Sequence, residues 1–117
     1  MSETFTKSER LLRRSDFVAI YESGEKRFFR YVVMFALPNE LAHPRLGITV
    51  TRKFGKSHDR NKVRRWIREI FRRSKGELGL DPVGVDMVLN VKGNAKLAPF
   101  DDFRKELLRA LRSVVPK

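Results

Sequence analysis

The residues with the clearest chemical potential are basic, and they are concentrated in one stretch. Residues 52–75 hold 11 Lys and Arg side chains against two acids, Asp59 and Glu69. The chain of 117 residues has a net charge of +12, so this stretch accounts for +9 and the remainder for only +3. Guanidinium and ammonium groups gathered in this way bind phosphates, and a polyanion offsets their mutual repulsion. The distribution therefore indicates a nucleic-acid-binding surface.

Spacing places most of these charges on one face of a predicted helix over residues 57–74. The apolar stripe of that helix consists of Val63, Trp66, Ile67, Ile70 and Phe71. The opposite arc of the helix carries Asn61, Arg64, Arg65, Arg68 and Arg72. Arg60 and Lys62 lie at the borders of the apolar stripe. A solvated helix face mixes positive and negative side chains, whereas four of these arginines repel one another at i,i+4 spacing. Phosphate binding therefore explains the pattern better than simple solvation.

The segment just before this helix predicts a second phosphate contact. Lys53 and Lys56 flank Gly55, whose missing side chain lets the backbone approach a ligand closely. Unpaired N–H groups at the helix start add to the attraction for an anion. The nucleotide-triphosphate loop, GxxxxGK followed by Ser or Thr, is absent, so a nucleic-acid backbone is the expected ligand.

Aromatic side chains form the other candidate site. Phe17 and Tyr21 share one face of a short predicted helix, and Phe35 lies on a predicted strand that is apolar on both faces. Either both faces of that strand are covered, or one face offers aromatic rings to unpaired bases. Arg14 and Arg30 are close in sequence and are candidates to hold the backbone of a single-stranded nucleic acid. For any one aromatic residue, a place in the core is the simpler interpretation.

Catalytic and metal-binding patterns are scarce. The chain has no cysteine, which excludes disulfides, thiolate zinc sites and a cysteine nucleophile. His43 and His58 are a candidate acid–base pair for RNA cleavage, although a turn and a helix start account for them equally well. Asp101 and Asp102 are adjacent and diverge on a helix, so they suit its first turn better than a two-metal site. We therefore predict no catalytic residue and no metal ligand in this chain.

The remaining pattern predicts the elements that must position these groups. Strands are predicted at 30–37, 46–51 and 84–91, the first two as antiparallel neighbours. Besides the central helix, helices are predicted to begin after Ser15 and near Pro99. The buried face predicted for the last helix consists of Phe100, Phe103, Leu107, Leu111 and Val114.

The element order α-β-β-α-β-α predicts an α+β fold. We expect a single, small two-layer domain over residues 1–117, with about three helices packed on a central β-sheet. One extra short strand is compatible with this order. No apolar run reaches the ~20 residues that cross a bilayer, and no hydrophobic signal segment is visible at the N-terminus. A cytoplasmic protein without membrane contact is the expectation.

The central stretch resembles the signature of the bacterial ribonuclease P protein subunit. That family has a hydrophobic strand, a Lys-x-Gly loop, an Arg-Asn-Arg helix and a trailing Arg-Glu-x-Phe-Arg. Here these features fall on the strand at 46–51, on Lys53 and Gly55, on Arg60-Asn61-Lys62 and on residues 68–72. Lys62 at the third triplet position keeps the charge and lacks the planar fork of arginine. The segment from 11 to 24, the length and the element order also fit.

The resemblance implies a function and two binding surfaces. The partner would be the catalytic RNA of ribonuclease P, in a 1:1 ribonucleoprotein that removes the 5′ leader from precursor tRNA. The RNA and its Mg²⁺ ions would perform the hydrolysis, with the metal held mainly by the RNA. The RNA subunit would bind Lys53, Lys56, Arg60, Asn61, Lys62, Arg64, Arg65, Arg68 and Arg72. A cleft between the first helix and the sheet would hold the single-stranded leader at Phe17, Tyr21 and Phe35. The family also implies a left-handed β-α-β crossover, against the general preference for the right hand.

Two other functions remain open from the residues themselves. A general RNA- or DNA-binding protein, such as a ribosomal protein, would carry the same concentration of charge. A protein-only ribonuclease would use His43 and His58. Precursor tRNA binding separates the first alternative from the family function, and cleavage without any RNA subunit would establish the second.

Overall fold

A four-stranded mixed sheet with helices on both faces forms the framework of the protein, in a computed structural model that describes residues 7–11 and 13–116. The strands are β1 (Glu25–Phe28), β2 (Val32–Pro38), β3 (Arg45–Thr49) and β4 (Val85–Val91). The helices are α1 (Arg14–Ser23), α2 (Ser57–Ser74) and α3 (Phe100–Arg112). Short 3₁₀ turns at Lys7–Glu9, Arg52–Phe54 and Gly93–Leu97 complete the described chain. The α+β class is confirmed, and the extra short strand is β1.

The order of strands across the sheet is β1-β2-β4-β3. β1 pairs with β2, and β2 with β4, in antiparallel fashion, whereas β3 runs parallel to β4 and is joined to it through α2. The prediction that β2 and β3 pair directly was therefore wrong. The reason lies in β4, whose first five residues are all buried. A strand that is buried on both faces suits the centre of a sheet, so β4 inserts between the other two.

The main core lies between one face of the sheet and helices α2 and α3. Alternate residues of β2 point into it (Val32, Met34 and Ala36), as the period of two requires. Helix α2 contributes the predicted stripe, with Ile67 and Phe71 fully buried. Sheet and helices thus bury one continuous apolar cluster, which fixes the orientation of α2. The charged side of this helix is consequently turned away from the core.

The other face of the sheet is covered only in part, by α1. Leu11, Ile20 and Val88 form a second, smaller core there, flanked by half-buried Phe17 and Phe35. Helix α1 has ten residues, so it is too short to cover the whole face. Part of the sheet beside it stays open to solvent. None of the helices in the described part of the chain is long and apolar enough to cross a membrane.

Two details of the helices differ from expectation. Phe100, predicted on the buried face of α3, is 42% exposed, because it opens the helix at the rim of a groove beside α2. Val114 lies beyond the end of α3 and is half-buried. The predicted burial of Phe103, Leu107 and Leu111 is confirmed.

Candidate nucleic-acid interface

One side of α2 borders an open cleft shared with α1 and β3. Arg64 and Arg68 lie on its α2 side, and Phe17 lies on its α1 side. The floor between them is β3, from Leu46 to Ile48, and Arg10 closes one end. The fold therefore brings the central arginines next to one of the aromatic residues that the sequence placed in a separate site. Basic and aromatic side chains share one surface.

The arginines along this part of α2 carry uncompensated charge. Within residues 7–11 and 13–116, no carboxylate pairs with Arg60, Arg64, Arg65 or Arg68. Arg64 Nη1 lies 3.4 Å from Asn61 Oδ1, and Arg68 Nε lies 3.4 Å from the carbonyl oxygen of Arg64. These are long contacts that leave most guanidinium donors unused. The nitrogen Nε of Arg60 is buried and has no acceptor in the described part of the chain.

Arg72, at the end of the same row of arginines, is paired with a carboxylate. Its guanidinium donates two hydrogen bonds to Glu69, at 3.0 and 2.8 Å, and Arg73 Nε lies 3.5 Å from the same carboxylate. The hydrogen bond from Arg72 lowers the pKa of Glu69, which favours the charged form of this acid. Glu69 therefore offsets part of the positive potential at this end of α2.

Replacing Glu69 by glutamine should strengthen RNA binding. The Glu69→Gln variant removes a negative charge beside the arginine row and keeps the size of the side chain. We expect the affinity for structured RNA to rise about two- to fivefold at low salt, with a steeper log–log dependence on salt concentration. Filter binding across a salt series measures both quantities. Unchanged affinity and slope would show that Arg72 and Arg73 lie outside the interface.

The turn before α2 extends the basic surface. Phe54 is buried and anchors the turn, while Lys53 and Lys56 on either side of it are exposed. Gly55 has a φ of 157°, and a Cβ at this position would lie 3.0 Å from Asp59 Oδ2. Such a conformation and such a close approach favour glycine, as the loop motif suggested. The two lysines thus flank the N-terminal end of α2, next to exposed Asn61 and Lys62.

Three predicted aromatic residues form one cluster on the open face of the sheet. The rings of Tyr21 and Phe35 meet edge to face, with centroids 4.8 Å apart. The Tyr21 hydroxyl donates to Asn90 Oδ1 at 2.9 Å and lies 3.2 Å from Thr49 Oγ1. Phe17 packs one turn earlier on α1, in the same small core as Phe35. These contacts hold Tyr21, which is 38% exposed, over the centre of the sheet.

Sequence reasoning missed two residues on this face of the sheet. A Cβ on Gly47 would lie 2.7 Å from Cζ of Phe17, so a larger residue would displace the ring. On β1, Phe28 is 67% exposed, and Lys26 Nζ lies 5.0 Å from its ring centroid and 5.6 Å from that of Phe35. A glycine inside a predicted strand was a signal of close approach. The four polar and aromatic residues of β1 have no strand-like pattern that could have revealed Phe28.

The structure does not bring together Arg14 and Arg30, the two arginines predicted to hold the backbone of a single-stranded nucleic acid. Arg14 is exposed on the first turn of α1, and its spacing of three and seven residues from Phe17 and Tyr21 puts it on their face. Arg30 lies in the turn between β1 and β2, where its backbone N–H donates to Glu106 and its guanidinium lies over Tyr31. Those contacts direct Arg30 toward α3. A role for Arg30 at the cleft stays a prediction from sequence proximity alone.

The histidines do not form a pair. His43 is half-buried before β3, with Nδ1 3.1 Å from the carbonyl oxygen of Pro44. His58 follows β3, in the first turn of α2, with Nε2 3.2 Å from Asp59 Oδ1. They therefore flank opposite ends of one strand. Among the residues described, no group of three or more His, Asp or Glu side chains could hold a metal ion.

The fold and this surface define a basic α+β domain in which an arginine-bearing helix adjoins an aromatic cleft on a sheet. This combination is typical of proteins that contact both the backbone and the unpaired bases of RNA. The "Ribonuclease P" family matches residues 5–115 of the chain. The "Ribonuclease P protein component" of Thermotoga sp. (strain RQ2) is 42% identical, over 97% of this chain and 98% of the relative. That of Clostridioides difficile (strain 630) is 35% identical, over 88% of this chain and 89% of the relative.

Solved structures agree with the sequence comparisons. The RNase P protein from Thermotoga maritima superposes with a TM-score of 0.82 at 38% identity, covering 92% of this chain and 99% of the other. The RNase P protein of Staphylococcus aureus gives a TM-score of 0.82 at 30% identity, covering 92% and 95%. The chain therefore belongs to the ribonuclease P protein family, as the resemblance of its central motif predicted. Membership makes it an RNA-binding component of tRNA processing.

Proposed function

We propose that the chain is the protein subunit of a ribonuclease P holoenzyme. In this role it assists the catalytic RNA in endonucleolytic removal of the 5′ leader from precursor tRNA. The observation that carries the proposal is the shared cleft, where Arg64 and Arg68 of α2 face Phe17 of α1. One surface can then contact structured RNA on one side and an unpaired strand on the other.

The RNA subunit binds along α2 and the preceding turn. Unpaired guanidinium groups of Arg60, Arg64, Arg65 and Arg68 suit bidentate contact with phosphates, and exposed Lys53 and Lys56 extend the contact beyond the helix start. Asn61 and Lys62, exposed on the same turns, complete the set. Arg72 contributes less than the others, since Glu69 already satisfies two of its donors.

The single-stranded leader lies in the cleft between α1 and the sheet. Unpaired bases stack on aromatic rings with little dependence on sequence, which a subunit acting on many precursor tRNAs requires. Tyr21 offers a partly exposed ring, and Phe17 and Phe35 are half-buried beside it. Arg14 on the same face of α1 is placed to hold a leader phosphate.

The hydrolysis itself is assigned to the RNA. Mg²⁺ ions held mainly by the RNA would supply the hydrolytic chemistry, and no side chain of this protein is assigned to hold them. The cationic surface of the protein helps by screening RNA phosphates from one another, so that the RNA folds and takes up Mg²⁺ at lower concentrations. We propose a 1:1 ribonucleoprotein in the cytoplasm, with precursor tRNA as its substrate.

Reconstitution tests the proposed function directly. Purified protein mixed with its cognate RNA subunit should support leader removal at a low Mg²⁺ concentration at which the RNA alone is inactive. A general RNA-binding protein would bind both RNAs without stimulating the site-specific cut. Leader removal by the protein without RNA, abolished by either His43→Ala or His58→Ala, would instead establish a protein-only ribonuclease.

Loss of the cleft aromatics should weaken precursor tRNA binding selectively. In the reconstituted holoenzyme, Phe17→Ala and Phe35→Ala should each reduce affinity for precursor tRNA about tenfold, because each removes stacking with the leader. Mature tRNA lacks the leader, so its affinity should change less than twofold. Equal losses for both substrates would remove the leader from this cleft. Leu97→Ala is the matched control, since this exposed apolar side chain lies in the turn before α3, away from the cleft.

A further inference from the structure

A second groove lies on the side of α2 that faces α3. It encloses about 680 Å³ between the two helices, with Ile70 and Leu108 at its apolar base. Arg64 and Arg68 border the cleft beside α1, whereas Arg65 and Arg73 border this groove. Helix α2 therefore presents basic side chains to two separate depressions. The proposed function uses the first and, of the residues that border the second, assigns RNA binding only to Arg65.

The groove has an exposed aromatic wall. Phe100, at the start of α3, is 42% exposed, and its ring meets Trp66 edge to face with centroids 5.0 Å apart. Trp66 is itself held by Phe103 on its inner side and by Lys62, whose Nζ lies 4.9 Å from its ring centroid. Phe100 is thus a ring whose position is fixed by its neighbours and whose surface is open. A fixed, open ring is the geometry that stacks with a base.

Guanidinium groups from both helices line the groove together with this aromatic wall. Arg65 from α2 and Arg104 from α3 line the groove, and neither pairs with a carboxylate in the described part of the protein. The depression continues along α3 past Lys105 and Arg112. Glu69 and Glu77 are the acids that line it, so cationic side chains predominate. The charge of the groove is complementary to a phosphate backbone.

We propose that this groove binds a second segment of single-stranded RNA, independently of the cleft beside α1. An unpaired base stacks on Phe100, and the flanking phosphates lie between Arg65 and Arg104. An acidic peptide would satisfy the same guanidinium groups, but it would leave the exposed aromatic ring uncovered. The combination of open ring and unpaired arginines therefore favours RNA. The proposal assigns the protein a second contact with unpaired RNA on the opposite side of α2.

The single tryptophan gives a direct test. Trp66 is the only tryptophan of the chain and forms part of the groove wall, so its fluorescence reports on a base stacked at Phe100. We expect a short oligoadenylate to quench Trp66 in the full-length protein, in the absence of the RNA subunit. Arg104→Gln should weaken this binding about fivefold and flatten its salt dependence, and Phe100→Leu should weaken it about tenfold.

Three controls make the outcome decisive. Arg109→Ala removes an equal charge from α3 at a side chain that lies over Phe29, and should bind oligoadenylate as the original chain does. Phe17→Ala, in the other cleft, should leave the Trp66 titration unchanged. If oligoadenylate quenches Trp66 in Arg104→Gln and Phe100→Leu as strongly as in the original chain, the proposal is overturned. Equal quenching by oligoglutamate would also overturn it, because the groove would then select a peptide.

Discussion

Replacing Arg64 and Arg68 together by alanine should weaken binding to the RNA subunit about 10- to 100-fold at moderate salt. The two guanidinium groups share one edge of the cleft and have no carboxylate partner in the described chain. Their charge is thus available to phosphates without breaking an internal contact. The slope of log affinity against log salt should fall by about two, since each lost phosphate contact contributes about 0.9. Filter binding or fluorescence anisotropy over a salt series measures both quantities.

A matched charge loss elsewhere separates specific contacts from overall charge. Arg109→Ala removes a guanidinium that lies 3.5 Å from Glu106 on α3, so its slope should stay close to that of the original chain. If the double variant keeps the original slope, both arginines are solvated in the complex. That result would rule out the proposed RNA interface along α2.

Removing the Asp86 carboxylate should destabilise the fold by about 2–4 kcal/mol. Arg45 donates two hydrogen bonds to Asp86, at 2.8 and 2.7 Å, and Asn39 donates a third at 2.7 Å. The bond to Asp86 raises the pKa of Arg45, so a charged group with unsatisfied donors would remain. The expected loss is below that of a fully buried pair, because Arg45 keeps some exposure and lies 3.6 Å from Asp16.

Thermal and urea unfolding of Asp86→Ala measure this loss. We expect the melting temperature to drop by about 10 °C or more. Asp86→Asn, which keeps the size and one acceptor oxygen, should lose less than Asp86→Ala. A decrease below about 1 kcal/mol for the alanine variant would mean that the pair contributes little, as exposed ion pairs do.

The elements that a local pattern specifies were predictable from the sequence. Helix α2 repeats apolar residues with helical spacing over its whole length, and its predicted span of 57–74 is confirmed. The pairing of strands was not predictable in the same way. The strand between β2 and β3 is β4, which begins about 35 residues after β3 ends. Its burial on both faces arises only once the sheet is assembled.

The same distinction applies to the candidate site: positions within one element were predictable, and contacts between elements were not. Phe17 and Tyr21 share a helix face by spacing alone, whereas the room for the Phe17 ring depends on Gly47 in another element. Arg30 is close to the aromatic residues in sequence, but the turn after β1 directs it to α3. Phe100 follows the apolar period of its helix and is nevertheless open, because it is the first residue of α3 and lies at the rim of the groove beside α2.

The position of β4 also constrains how the protein is synthesised. Because β4 is the last of the four strands along the chain, β2, β3 and α2 emerge from the ribosome before the strand that joins β2 to β3. Until Val91 emerges, β2 and β3 have exposed edges, and the arginines of α2 have no completed scaffold beneath them. Contacts of such wide sequence separation form slowly. A nascent chain of this topology therefore acquires its RNA-binding shape only after β4 has been synthesised and has paired with β2 and β3.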